Sequence, residues 1–339
     1  MQTETGSTHS RVKDLHIHTC LEQSVESERT TGLETVFLEA GLPEFAVADM
    51  DTSCQFLGKT LSLPLLIAPI TGGGSQSTRI NRNLATAAEH CRIGMSVGSM
   101  SPMLEGKAGP ESYMLREFAP TIPLLANLGL IHARKGRDYL LEAVESIRGD
   151  GITLYVNPLH EILQQEGEKD FRGILEALGA IAEDFPYPIF VKEVGFGLSD
   201  RVLEWASTIG IAGVDVAGLG GTNWAKVEGL IQGKDYSAYQ NLGRSTRDAI
   251  FAAQRSLRKD QWLIASGGIR TGIDMARAFA LGARCVAMAL PFLRWGHRST
   301  AEVIQAVARL KEELLVALWY SGCRRPVDLK GKYALDAGV

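Results

Sequence analysis

The residues Ala265-Ser266-Gly267-Gly268-Ile269-Arg270 end one apolar run, and Leu281-Gly282-Ala283 leads into the next, Cys285 to Leu290. Paired glycines let a backbone approach an anion closely, and a helix N-terminus just beyond favours negative charge. The pattern reads as a phosphate cradle, with Gly267, Gly268, Arg270, Ala289 and Leu290 as its contacts. A phosphorylated cofactor is the ligand this chemistry calls for.

Other residues of chemical interest also stand at the ends of apolar runs. Lys192 closes Ile189-Phe190-Val191, where an ammonium is costly unless it meets an anion. It reads either as a cation beside a flavin's N1–C2 carbonyl edge or as one half of a buried ion pair with Glu193 or Asp215. Thr71, Ser99 and Asn127 sit at three successive run ends and suit hydrogen bonding along a ring edge, with Gly72 beside the first. Thr222 follows Gly220-Gly221 and adds a hydroxyl to a second anion-binding turn. Asn157, His160 and Glu161 follow another run. Glu161 is a candidate Mg²⁺ ligand, because that hard cation takes one or two carboxylates plus substrate phosphate. His160 is a candidate acid or base near neutral pH.

Such residues need a frame. Eight apolar segments recur, at 64–69, 93–99, 123–129, 152–158, 188–195, 212–218, 262–268 and 285–291. They are continuous rather than alternating, as in parallel strands buried on both faces. Helical patterns lie between most of them, at 77–90, 137–148, 171–185 and 274–281. Eightfold alternation predicts an α/β chain folded as a (β/α)8 TIM barrel, whose site lies at the C-terminal strand ends. A doubly wound sheet would carry its glycine fingerprint after the first strand, whereas here the richest glycine loops come late. The domain reading is one unit, 1–339. It has an N-terminal extension at 1–60, a barrel at 61–322, an insertion at 223–261 between strands six and seven, and a polar tail at 323–339.

Bulk properties narrow the function. The chain has 339 residues, 45% of them apolar, and a net charge of −4. It has no basic block for nucleic acid and no apolar run long enough to span a membrane. Residues 1–10 are polar and lack the apolar core of a secretion signal. The five cysteines form no CxxC pair, which fits a reducing cytoplasm better than zinc or disulfides.

A set of motifs, in order along the chain, resembles the type 2 isopentenyl diphosphate isomerases. They are Thr71-Gly72-Gly73, Val97-Gly98-Ser99, Ala126-Asn127-Leu128-Gly129, Asn157-Pro158 with Glu161, and Gln165-Glu166-Gly167. Val191-Lys192-Glu193-Val194-Gly195-Phe196-Gly197, Gly220-Gly221-Thr222-Asn223-Trp224 and Ser266-Gly267-Gly268-Ile269-Arg270 complete the set. The resemblance implies a barrel holding FMN, active when reduced and recharged by NAD(P)H. It further implies Mg²⁺ at a prenyl diphosphate through Glu161, and a homotetramer or homo-octamer. It places Lys13, His16, Asn157, His160 and Trp224 at the substrate, and His16, Tyr155, His160 and Lys192 among the catalytic groups.

The departures fall on the substrate side. Lys13 and His16 match the family's N-terminal motif, but their neighbours differ. Met100-Ser101 replaces a Gln-Arg pair whose Arg grips diphosphate, Tyr155 stands for a His, and His160 for a Gln. Three competitors follow. One is a paralogue using the same FMN site on another unsaturated or prenyl substrate. Another is an FMN-dependent 2-hydroxyacid oxidoreductase, which needs a His after strand six that Gly220-Gly221-Thr222-Asn223-Trp224 lacks. The last is a flavin carrier without catalysis.

Overall fold

The computed structural model describes residues 8–165 and 167–335. Glu166, in one motif above, lies outside them. Eight parallel strands close into a barrel: β1 Leu65–Ile67, β2 Gly94–Ser96, β3 Leu124–Gly129, β4 Gly151–Tyr155, β5 Ile189–Lys192, β6 Gly213–Asp215, β7 Trp262–Ala265 and β8 Cys285–Met288. β8 returns to β1 through the register Val286↔Leu65 and Met288↔Ile67, so no edge is left unpaired. Seven strands fall inside their expected apolar segments, and β4 starts one residue before its own, at Gly151. Except in β3, which runs to Gly129, the ladders stop earlier, and the last residues of those segments build the mouth.

The helices follow their pattern as closely. Ser77–Cys91 buries Ile80, Leu84, Ala87 and Ala88 on one stripe and ends at Arg92 with φ 52°. Arg137–Ser146, Ile174–Ala182 and Gly272–Ala280 lie within two or three residues of their expected bounds at most termini.

Which barrel end is open follows from a hairpin. Cys54–Phe56 pairs antiparallel with Lys59–Leu61. Phe56 inserts at the N-terminal strand ends, stacking on Phe190 at 5.7 Å and edge-on to Trp262 at 4.8 Å. Together with Leu66, Leu125, Ile264 and Cys285 it forms a sealed inner core. The barrel interior is therefore reached from the C-terminal mouth.

Beyond the repeat, residues 223–261 hold two α-helices and a short 3-10 turn, Ser237–Tyr239. Thr246–Ser256 packs against β7 and Asp200–Thr208, as a member of the outer ring. Trp224–Gln232 is the addition, and it packs against Thr8–Glu22 and Pro158–Leu163 across the mouth. The polar tail is anchored along much of its length. Pro326 and Leu329 are buried, and Tyr333–Leu335 pairs with Val36–Leu38. Composition hides this because a few scattered apolar side chains, Cys323 and Tyr333 among them, and a backbone ladder do the anchoring. Among the described residues no helix is long and apolar enough to cross a membrane. All five cysteines are free thiols.

Candidate active site

A cleft of about 970 Å³, counting the open solvent at its entrance, lies at the C-terminal strand ends. Lys13, His16, Thr71, Lys192, Thr222 and Trp224 line it, as do Gly267, Gly268, Arg270, Ala289 and Leu290. Gly72, Ser99, Asn127, Tyr155, Asn157, His160 and Glu161 lie outside that lining and form its surroundings.

The cradle end depends on backbone. Gly267 has φ 98° and Gly268 φ 72°. A Cβ on Gly267 would lie 2.1 Å from the Gly218 carbonyl oxygen, and one on Gly268 2.2 Å from that of Gly220. The β6 and β7 loops thus pack backbone to backbone, and only glycine fits between them. Ala289 caps the helix Leu290–Arg298, whose first N–H groups are left without intrahelical partners. Ser27 N–H donates to Gly221 O at 2.8 Å and Asn223 N–H to Val25 O at 2.9 Å, so the N-terminal extension straps this turn. Arg270 faces the cavity but its Nε donates to Glu26 at 3.0 Å, and Arg294 meets the same carboxylate at 3.7 Å. Its charge is shared with a protein anion, which its type and position in the sequence do not reveal.

Along the wall, Lys192 Nζ lies 2.8 Å from Asp215 and 3.2 Å from Ser266 Oγ, and Ser266 donates to Asp215. The ion-pair reading of Lys192 holds, with Asp215 as the partner, and the side chain also lines the cavity. Glu193 is the neighbour it does not pair with. That carboxylate accepts N–H bonds from Val194 at 2.6 Å and Gly197 at 3.2 Å, and a third from Phe196. Burial outweighs those bonds and pushes Glu193 up to about 7. A folded-state value above the unfolded one means the native chain holds the extra proton. Stability is therefore greatest below the unfolded value and falls as pH rises through about 7. Glu193→Gln is expected to flatten that loss, roughly 3 kcal/mol between pH 5 and 8. Urea titrations of both proteins at the two pH values measure it, and parallel losses would refute it.

At the opposite end, helix Pro158–Leu163 starts at Asn157, whose side chain accepts His160 N–H at 2.9 Å. Asn157 Nδ2 is buried and without a hydrogen-bond partner. A buried, unpaired donor costs about 1–3 kcal/mol, so it fits a ligand's acceptor. Glu161 accepts from the Glu168 N–H at 2.8 Å, and burial raises it above the usual carboxylate range. Burial lowers Lys13, which faces the Glu161 and Glu228 carboxylates. His16 Nε2 and His160 Nε2 each meet Glu228 Oε1, at 3.0 and 2.9 Å. Both rings lie against Trp224, with centroids 5.4 and 4.6 Å away.

Of the remaining predicted residues, Ser99, Asn127 and Tyr155 hold one another, while Thr71 and Gly72 are held by neighbours. Thr71 Oγ1 meets Ser77 Oγ at 2.8 Å. Tyr155 donates to Ser99 Oγ at 3.3 Å, and burial pushes it up to about 12, so it stays protonated. Asn127, with its amide turned to pair, accepts from Ser99 N–H at 3.2 Å. Gly72 is glycine for a packing reason, because a Cβ there would lie 2.3 Å from the Tyr113 ring.

Comparison with known proteins follows this geometry. Residues 34–114 and 159–335 match the family of FMN-dependent dehydrogenases. An isopentenyl-diphosphate delta-isomerase from Paracoccus zeaxanthinifaciens is 37% identical, covering 98% of this chain and 99% of that protein. One from Thermococcus kodakarensis is 38% identical, covering 93% and 88%. The chain belongs to the isopentenyl-diphosphate delta-isomerase family. Solved structures of mandelate oxidase (TM-score 0.65, 18% identity, 97% of this chain and 93% of that one) and flavocytochrome b2 (0.72, 18%, 95% and 83%) share its fold. At that identity they support the barrel and nothing finer.

For an isomerase-family chain, the residues fit FMN. Glycine loops packed backbone to backbone stand at one end, and a buried cation lies on the wall. Three features escaped sequence reading. Glu228 is a lone acid on an otherwise mixed helix, and only its burial between Val227 and Gly229 marks it out. Glu26 lies 244 residues from its Arg270 partner. Ala217 lines the cavity with φ 38°, a conformation side chains rarely adopt. The cations after β3 that could replace a missing diphosphate Arg are paired elsewhere. Lys135 meets Glu105 at 2.6 Å, Arg134 Asp170 at 3.7 Å and Arg137 Asp184 at 3.5 Å.

Proposed function

We propose that the chain converts isopentenyl diphosphate to dimethylallyl diphosphate, with reduced FMN in the cavity, Mg²⁺ at Glu161 and NAD(P)H as reductant. The observation that supports it best is the cavity lining. Backbone donors stand at one end, Lys13, His16 and Trp224 at the other, and Lys192 between them. Reduced FMN supplies an acid–base group able to protonate one alkene carbon and deprotonate another. The chain's own residues do the positioning. Lys192 keeps a positive charge at the wall, which favours an anionic ring. Trp224 gives an apolar face that excludes water, and Asn157 Nδ2 and Lys13 offer donors to a diphosphate. Glu161 offers a carboxylate oxygen beside them to Mg²⁺. Remote diphosphate binding then holds the prenyl carbons in near-contact geometry. The same reading includes a cytoplasmic homotetramer or homo-octamer.

The test is isotopic. Reduced holoenzyme with isopentenyl diphosphate and Mg²⁺ in deuterated water is expected to place deuterium in both prenyl diphosphates. No incorporation removes the proposal.

The pairing of Lys135, Arg134 and Arg137 favours a second reading, a paralogue whose substrate lacks the full diphosphate. Ser101 lies 3.4 Å from Ser99 by their hydroxyl oxygens, beside the polar strand ends. Under that reading Ser101→Arg restores a charge-assisted grip and lowers the KM for isopentenyl diphosphate about tenfold. An unchanged KM in steady-state assays rejects it.

A further inference from the structure

The cluster around Glu228 brings three nitrogens to one carboxylate oxygen and sets two of those nitrogens against each other. His16 Nε2 and His160 Nε2 approach the same oxygen, Glu228 Oε1, at 3.0 and 2.9 Å. Gln164 Nε2 lies 3.2 Å from that oxygen and 2.8 Å from His160 Nε2. If His160 donates to Glu228, its Nε2 proton faces an amide nitrogen that can only donate. If it instead accepts from Gln164, its lone pair faces a carboxylate oxygen at 2.9 Å. Protonating the ring leaves the first conflict standing. Turning the amide relieves His160 but sets the amide oxygen against Glu228. With Glu228 ionised, as its histidine neighbours favour, no assignment of protons satisfies all four contacts.

A cation at the centre satisfies them together. The nitrogen and carboxylate ligand atoms of His16, His160 and Glu228 all lie within 4.8 Å of one another. Bonds of about 2.0–2.1 Å at angles near 90–110° put neighbouring ligand atoms roughly 2.9–3.4 Å apart. The two nitrogen–oxygen separations lie in that range. Glu228 is also held as a ligand would be, since its other oxygen accepts from Gln232 Nε2 at 3.1 Å. Two imidazoles and one carboxylate suit a borderline first-row ion rather than Mg²⁺, which prefers oxygen.

We propose that His16, His160 and Glu228 form a site for a divalent transition-metal ion, Zn²⁺ being the probe, with the turned Gln164 amide oxygen beside it. This site is separate from the single carboxylate of Glu161. It goes beyond the isomerase reading, and its readout is metal content rather than turnover.

The experiment uses the full FMN-loaded chain, stripped by chelator and titrated with Zn²⁺ by calorimetry. One Zn²⁺ per chain is expected, undisturbed by excess Mg²⁺. His16→Gln and His160→Gln are each expected to weaken it about tenfold or more while keeping the FMN content. Wild-type stoichiometry near zero, displacement by Mg²⁺, or unchanged affinity in both variants overturns the proposal. Should a variant lose its FMN, pulsed EPR on the Cu²⁺-loaded wild type decides, because two coordinated imidazoles are required and fewer refute it.

Discussion

Lys192→Ala is expected to cost about 100- to 1,000-fold in turnover and about 3–5 kcal/mol in stability, through two separable causes. The stability loss belongs to Asp215. Its side chain is 6% exposed and its carboxylate meets Lys192 at 2.8 Å, so truncation strands a buried anion with only Ser266 as a partner. The turnover loss belongs to the cavity, whose wall changes from a paired cation to an unpaired anion facing any reduced ring. Lys192→Ala combined with Asp215→Asn removes the stranded charge without restoring the cation. The double variant should regain most of the denaturant midpoint and none of the activity. Recovery of both together would mean that Lys192 serves the fold alone.

That separation bears on what a sequence discloses. The apolar segments named all eight strands, since a parallel strand buried on both faces leaves a continuous run. The strand ends named much of the cavity lining, because the barrel places every C-terminal end at one mouth. The partners of those residues were less accessible. Lys192 offered Glu193 and Asp215 equally well in one dimension. Strand pairing puts Lys192 opposite Asp215, while Glu193 is taken up by backbone N–H groups. Glu228 and Glu26 act across 68 and 244 residues, on His160 and Arg270, and no local period records such a pairing. The hairpin plug of Phe56 and the tail ladder on Val36–Leu38 were hidden likewise, because short strands carry little pattern.

The cradle gives the second large effect. Gly268→Ala is expected to lower FMN affinity about 100-fold, the worth of one or two charge-assisted hydrogen bonds to a phosphate. The new methyl group would lie 2.2 Å from Gly220 O and 2.5 Å from the Thr31 side chain. At φ 72° the residue also pays about 1–2 kcal/mol for a left-handed conformation. Both penalties push the β7 loop away from the β6 loop, and the N–H groups aimed at an anion separate with them. Gly58→Ala supplies the control, having φ 74° but nothing within 4 Å of its Cβ. It carries the conformational penalty without the clash, and should keep its flavin. Riboflavin, which has no phosphate, sharpens the result. The preference for FMN over riboflavin, measured by fluorescence quenching, should shrink in Gly268→Ala and persist in Gly58→Ala. A Gly268→Ala protein that kept the full preference would show that the phosphate is held somewhere other than the glycine turn.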